Sequence, residues 1–357
     1  MKLTNKRNLP AIFARAADPY KRIGDVSATG LLDPVQKTVI TRRFWEQVEE
    51  DVSNRLWAIF GRAVHSLFEE SERSHAYAEL GKAIEGLGSV TIIDEVATSA
   101  AIMQVLNTYK QLPVIEERVA IHIIGHKVKA ISIEEATRLT DQPHEGLIVS
   151  GCADHIDRAR RHIDDIKVTK TWAHKYGAHL PKWTEQLSIY QFIYGINLIL
   201  IETASVLEML RDWSEHELGW QQEYPEFDVY ETPIDLLPED ETYALIRERG
   251  ERILELIDAP LEELPPCTDE DRWADPPAFA VFGKKDAKRA TKLFRVERGE
   301  DPHVQYELAC DLRNKKGGTS YVEERPARNK RCEKWCSAAP FCLQWKALQK
   351  EGASCLD

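Results

Sequence analysis

The sequence lacks several features, and each absence closes a class of function. No apolar run in the 357 residues approaches the ~20 needed to span a bilayer. The opening segment MKLTNKRNLPAIFARA is basic but has no continuous hydrophobic stretch, so no secretory signal is expected and the chain reads as cytoplasmic. No Gly-x-x-x-x-Gly-Lys-Ser/Thr segment occurs, which excludes a phosphate-cradling motor within the chain. Internal repeats and low-complexity tracts are absent. Seven cysteines without an export signal do not suggest a disulfide framework. A formal charge of −12 has the wrong sign for a protein that coats nucleic acid by bulk electrostatics.

At 43% hydrophobic residues, the chain is long enough for one large domain or two ordinary ones with a proper core. Its charge is uneven. Residues 213–265 are crowded with Asp and Glu, whereas Lys284–Arg295 and Arg325–Lys334 are basic. These patches read either as a local positive groove on an acidic body or as ordinary solvated helix faces.

The most informative stretch is 146–170, GLIVSGCADHIDRARRHIDDIKVTK, which reads as two strands joined by a charged turn at Asp157–Arg161. Side chains alternate across a strand, so Asp165 and Lys167 share one face and Ile166 and Val168 the other. If the hairpin closes, Asp154 lies across from them. Two carboxylates that close repel unless a cation sits between them, and hard oxygen donors suit Mg²⁺ or Mn²⁺. The plainer alternative is a solvated hairpin whose charges face water.

In chain order, Ser27 or Thr29 is placed to cap a short helix ending near Asp33-Pro34. Residues 38–74 read as helical, with Leu56, Phe60, Val64 and Leu67 as a buried stripe. Gly61 in that helix suggests close approach by another element, and His65 and Glu69 lie one turn apart on a neighbouring edge. Residues 75–116 look helical with interruptions at Gly86 and Gly88. Arg118–Ile124 and Lys127–Ile133 form a hairpin around Gly125-His126, giving with 146–170 one mostly antiparallel sheet of at least four strands. Residues 183–201 form an apolar helix with Gln186 and Tyr190 on one face. Further strands follow in 202–235, then a charged helix over Pro238–Ile257. The expected organisation is an N-terminal arm (1–35), a core (36–258), a Pro-rich connection (259–279) and a basic, cysteine-containing lobe (280–357).

Four pieces occur in a fixed order: Gly61-x-x-x-His65, Gly151-Cys-Ala-Asp154, Asp165-Ile-Lys167 and Gln186-x-x-x-Tyr190. Together they resemble the PD-(D/E)XK nuclease superfamily and within it the RecB-like exonucleases, including AddA and AddB nuclease domains and CRISPR-associated RecB-like exonucleases. The opening also resembles versions carried by bacteriophages. The resemblance implies an α/β restriction-endonuclease-like core, a central mixed sheet flanked by helices. It also implies a Mg²⁺- or Mn²⁺-dependent exonuclease acting on DNA ends in recombination, repair or phage DNA metabolism, in the host cytoplasm if phage-encoded. His65, Asp154, Asp165 and the Ile166 carbonyl would hold the metal, Lys167 would act on water or phosphate, and Gln186 and Tyr190 would position the scissile strand. Glu69 would support His65. DNA is the implied partner, and any unwinding would come from a helicase or recombination protein. The rival readings are a catalytically silent nuclease-fold module that binds DNA or protein, and a zinc-stabilised interaction module.

The segment RCEKWCSAAPFC places Cys332, Cys336 and Cys342 close together. In the resembling family an iron–sulfur cluster is held by one N-terminal cysteine and three C-terminal ones. Here Asp33-Pro34 stands where a Cys-Pro step is expected, and Cys332 and Cys336 are separated by three residues where two are usual. An iron–sulfur cluster, Zn²⁺ with mixed ligands and a metal-free packed lobe all remain open, with Asp33, Cys310 or Cys355 as the fourth ligand if one is needed.

Overall fold

A computed structural model describes residues 2–17, 23–88, 95–140, 142–220, 223–297 and 299–351. It is a mixed α/β protein with several sheets. Its contacts divide the chain into two units: Arg7–Asp33 with Arg55–Leu254, and Met1–Lys6 with Pro34–Asn54 and Glu255–Asp357. No helix among the described residues is long and apolar enough to cross a membrane.

The strands of the first unit are β1 (Val26–Ser27), β2 (Val114–Ile115), β3 (Arg118–Ile124), β4 (Lys127–Ile131), β5 (Leu147–Cys152), β6 (His155–Asp157), β7 (His162–Thr169), β8 (Thr203–Leu210) and β9 (Val229–Ile234). They pair as two sheets rather than the single sheet expected, in the orders β1-β5-β3-β4 and β9-β8-β7-β6-β2. The chain leaves one sheet at the end of β5 and joins the other at β6. At that break the Tyr194 hydroxyl takes over the ladder, accepting from Ala153 N at 2.9 Å and donating to the Glu117 carbonyl at 2.5 Å. A buried side chain thus satisfies backbone groups that strand pairing no longer reaches. The short helix expected after β1 forms over Ala28–Leu31, and its Ser27 hydroxyl accepts from Gly30 N.

β7 and β8 run parallel, so the chain must cross over a sheet face to join them. It does so through α4 (Thr171–Lys175) and α5 (Leu180–Ile196), while the preceding helix α3 (Ile133–Leu139) packs on β3. The helix α5 buries nine residues from Trp183 to Tyr194, as an apolar helix inside a core must. The charged helix α6 (Glu239–Leu256) rests on β5 at Gly250, where an added Cβ would stand 2.0 Å from Leu147 Cδ2.

The helix α1 (Leu56–Gly88) continues past Gly61 and Gly86 and ends at Gly88, where an interruption is expected, and α2 spans Glu95–Gln111. Its expected buried stripe is mostly exposed. Val64 is buried, but Phe60 is 45% and Leu67 68% exposed. Gly61 faces open space, not a close neighbour. Helical spacing located the face correctly only at the turn holding Val64 and His65, where α1 meets β2 and β7.

In the second unit, the antiparallel strands β10 (Ala278–Phe282), β11 (Lys292–Arg295) and β12 (Tyr321–Arg325) pack against α7 (Pro302–Lys316). Their core comprises Phe279, Val281, Phe294, Val296 and Ala309. The last helices among the described residues are α8 (Lys330–Lys334) and α9 (Leu343–Glu351). Helix Val35–Arg43 belongs to this unit, with the Phe44 ring stacked 4.5 Å from Phe341.

Candidate metal-dependent active site

The β6–β7 hairpin is registered by His155 opposite Asp164 and Ile156 opposite Ile163. Continued by one residue, this register brings Asp154 across from Asp165. Asp165 and Lys167 project towards α5, as alternation requires. Lys167 Nζ stands 2.6 Å from Asp165 Oδ2, and Gln186 Nε2 donates to Asp165 Oδ1 at 3.2 Å. Asp165 is 2% exposed. Its Oδ2 is therefore held by the Lys167 ammonium and its Oδ1 by the Gln186 amide.

His65 reaches the same point from α1. Its Nε2 lies 3.0 Å from the Ile166 carbonyl oxygen and its Nδ1 3.2 Å from Asp154 Oδ1. The other Asp154 oxygen accepts from Ile166 N at 2.8 Å. Both ring nitrogens face oxygen acceptors, and only the doubly protonated imidazolium donates to both. The hydrogen bond to Asp154 accordingly pushes His65 above the usual histidine range, against its burial.

Glu116 is a further member that the sequence did not disclose. It sits between β2 and β3 with φ +45°, its backbone N donates to the Asp154 carbonyl at 3.2 Å, and its Oε1 is 3.8 Å from His65 Nδ1. His65, Glu116 and Asp154 each offer an atom within 4.8 Å of the others, a spacing that fits one cation. The sequence places Glu116 at the end of a helical stretch over 75–116, whereas the helix ends at Gln111 and Val114–Ile115 is a strand, so no sequence signal marks Glu116. The left-handed backbone that aims it is a tertiary product.

The electrostatics of the site follow from crowding acids around few cations. Burial pushes Asp154 up, but His65 and Lys167 outweigh it and hold this carboxyl below its ordinary value. Burial, reinforced by Asp154, raises Asp165. Burial opposes the Lys167 charge, yet Asp165 and Asp154 outweigh it and raise the ammonium. Glu116 is raised by burial, then by Glu69 and Asp154.

Tyr190 is buried, its ring against Gly151, where an added Cβ would lie 3.2 Å from Tyr190 Cδ1. Burial, then Asp165 and Asp154, raise its phenol far above the usual range. Glu69 does not serve His65 as expected. It accepts from Arg73 Nε at 2.9 Å, one helical turn along α1, and lines the cleft of about 210 Å³ that also holds His65, Glu116 and Asp154.

A second carboxylate, also unforeseen, lies on the Lys167 face. The parallel register pairs Glu208 of β8 with Lys167, and Glu208 is 1% exposed. His174 Nδ1 at 2.8 Å, Thr232 Oγ1 at 2.8 Å and Thr169 Oγ1 at 3.3 Å surround it. A separate group, His162, Asp164 and Glu231, offers another set of possible ligands.

Neither a family model nor a curated protein matches the chain. Among solved structures, that of SSO0001 is similar over 71% of this chain and 88% of its own, at 14% identity and a TM-score of 0.38.

The clustered cysteines lie in the second unit. Cys332 is on α8, Cys336 follows it, and Cys342 immediately precedes α9. Of the fourth donors considered from sequence, Asp33 belongs to the first unit. Cys310 is on α7, bonded to Tyr306, and Cys355 lies outside the described residues.

Proposed function

We propose that the protein is a metal-dependent deoxyribonuclease with a PD-(D/E)XK-type core, an exonuclease acting on DNA ends in recombination, repair or phage DNA metabolism. The observation that carries this reading is the convergence of His65, Asp154, Asp165, Lys167 and the Ile166 carbonyl at the break between the two sheets. The donor set fits Mg²⁺ or Mn²⁺: carboxylates, a carbonyl and one imidazole, three of them within 4.8 Å of one another. His65, Asp154, Asp165, the Ile166 carbonyl and the newly found Glu116 would hold the ion. When bound, it supplies charge to offset the phosphate and acidity to a coordinated water.

The remaining work falls to the chain. Lys167 stays protonated beside two carboxylates, so it donates to the attacking water or a phosphate oxygen and does not act as a base at neutral pH. Gln186 fixes the Asp165 carboxylate by its hydrogen bond. Tyr190, with its ring on Gly151, holds α5 against β5 at the height of the site, a positioning part rather than direct contact with the scissile strand. Immediately after β7, Trp172 and Tyr176 are each 63% exposed with ring centroids 5.7 Å apart, and Lys175 Nζ lies 5.4 Å from the Tyr176 centroid. Exposed aromatic faces beside a cation suit unstacked bases and their phosphates. A helicase or recombination partner would supply unwinding, for which the chain has no phosphate-cradling loop.

The test is degradation of end-labelled linear DNA, with circular DNA as the control, in Mg²⁺, Mn²⁺ or EDTA. Linear DNA should be degraded only with metal, and Asp165→Ala should abolish the reaction without unfolding the chain. Undiminished cleavage by folded Asp165→Ala protein would refute the site.

A further inference from the structure

Alternation along β7 sends Asp165 and Lys167 towards α5 and therefore turns His162 and Asp164 to the opposite face of the strand. The parallel register sets Thr203 of β8 beside His162 and Ser205 beside Asp164, so these four side chains share that face. From the other side of β8, Glu231 of β9, registered with Leu207, meets Ser205, whose hydroxyl donates to Glu231 Oε1 at 3.2 Å. His162, Asp164 and Glu231 each offer an atom within 4.8 Å of the others. His162 is 5% exposed whereas Glu231 is open to solvent, so the group has a buried floor and an accessible rim.

We infer that His162, Asp164 and Glu231 form a second metal site, one that takes Zn²⁺ and shares no ligand with the group at His65. Each of the three is held by a neighbour through an atom the ion does not need. His162 Nδ1 lies 2.7 Å from Thr203 Oγ1, and a proton on Nδ1 leaves the lone pair on Nε2. Asp164 Oδ2 lies 2.9 Å from His155 Nδ1, which leaves Oδ1. Ser205 takes one oxygen of Glu231 and leaves the other. Ligating imidazoles and carboxylates are oriented in this way, by hydrogen bonds at the atoms that do not touch the metal.

The spacing and the donor types bear on which ion fits. A tetrahedral zinc with bonds of ~2.0 Å needs ligand atoms roughly 3.3 Å apart, and His162 Nε2 and Asp164 Oδ1 are 3.1 Å apart. Without metal, a proton on Nε2 bridges that gap as an ordinary ion pair, and Thr203 then donates to Nδ1. Zinc replaces the proton, and the Thr203 hydroxyl accepts instead, since it can serve in either sense. An imidazole in the set favours Zn²⁺ over Mg²⁺, and three protein ligands leave the fourth position to water from the open rim. The ion would tie β7 to β9 across β8, fastening the strand that carries Asp165 and Lys167. The inference does not depend on the nuclease reading.

The experiment uses the full chain without DNA, stripped of metal by EDTA and dialysed. Zn²⁺ is titrated by calorimetry into His65→Ala protein, in which the other site is weakened, and into His65→Ala/Glu231→Gln. Glu231 is exposed, so its amide variant leaves the core as it is, and melting curves check that both proteins are folded. One Zn²⁺ per chain should bind the first protein, and its affinity should fall at least tenfold in the second. Crystals of the wild type soaked in Zn²⁺ give a readout that needs no variant: an anomalous difference peak should stand between His162 Nε2 and Asp164 Oδ1. Equal Zn²⁺ affinity in the two folded proteins, or no anomalous peak at His162, would overturn the inference. Failure of the nuclease assay with this binding intact would strike the proposed function and leave the second site standing.

Discussion

Replacing Lys167 with alanine tests the site through stability as well as rate. Its ammonium is 2.6 Å from Asp165 Oδ2, a separation at which unit charges attract by roughly 6 kcal/mol at an effective dielectric of about 20. Desolvation offsets much of this, and removing one partner of a buried pair costs about 3–5 kcal/mol. The Lys167 side chain is 28% exposed, so about 3 kcal/mol is expected, or ~6–12 °C in melting midpoint. The loss depends on pH. The folded-state pKa of Asp165 is raised, so its contribution is full below its unfolded value and is lost as pH rises through the folded one. Without Lys167 that folded value rises further, so the variant should be weakest near pH 8 and recover towards pH 5 by up to about 1.4 kcal/mol per pH unit. Mg²⁺ should restore stability at pH 8 by replacing the missing positive charge, while DNA degradation falls by about 10²–10⁴. Melting curves across pH with and without Mg²⁺, beside the nuclease assay, give the answer. Equal midpoints at pH 5 and 8, indifference to Mg²⁺ and intact degradation would together refute the reasoning.

His65 is raised because Asp154 favours its imidazolium, so a cation must displace a proton. Metal affinity by calorimetry should therefore fall up to tenfold per pH unit below the His65 pKa, and His65→Ala should bind metal more weakly, lose that pH dependence and regain activity in excess Mn²⁺. Gly151→Ala should cost about 1–3 kcal/mol, because its Cβ would lie 3.2 Å from the Tyr190 ring. Denaturant unfolding should report that loss, and unchanged stability would show that α5 yields freely at this contact.

The sequence by itself determined the parts that rest on local pattern. Alternation put Asp165 and Lys167 on one face, the polar turn after Asp157 closed the hairpin, and Ser27 capped its short helix, because strand period and capping depend on residues a few positions apart. What lay beyond it required atoms distant in the chain. Periodicity gives a helix an apolar face but not what covers it, so Leu67 was expected inside and stands exposed. Alternating runs specify strands but not partners, so the division into two sheets, with Tyr194 bridging Ala153 and Glu117 at the break, appears only in the tertiary structure. Glu116 carries no signal in its own neighbourhood. Its left-handed backbone and its hydrogen bond to the Asp154 carbonyl place it, and only packing between remote segments creates that contact.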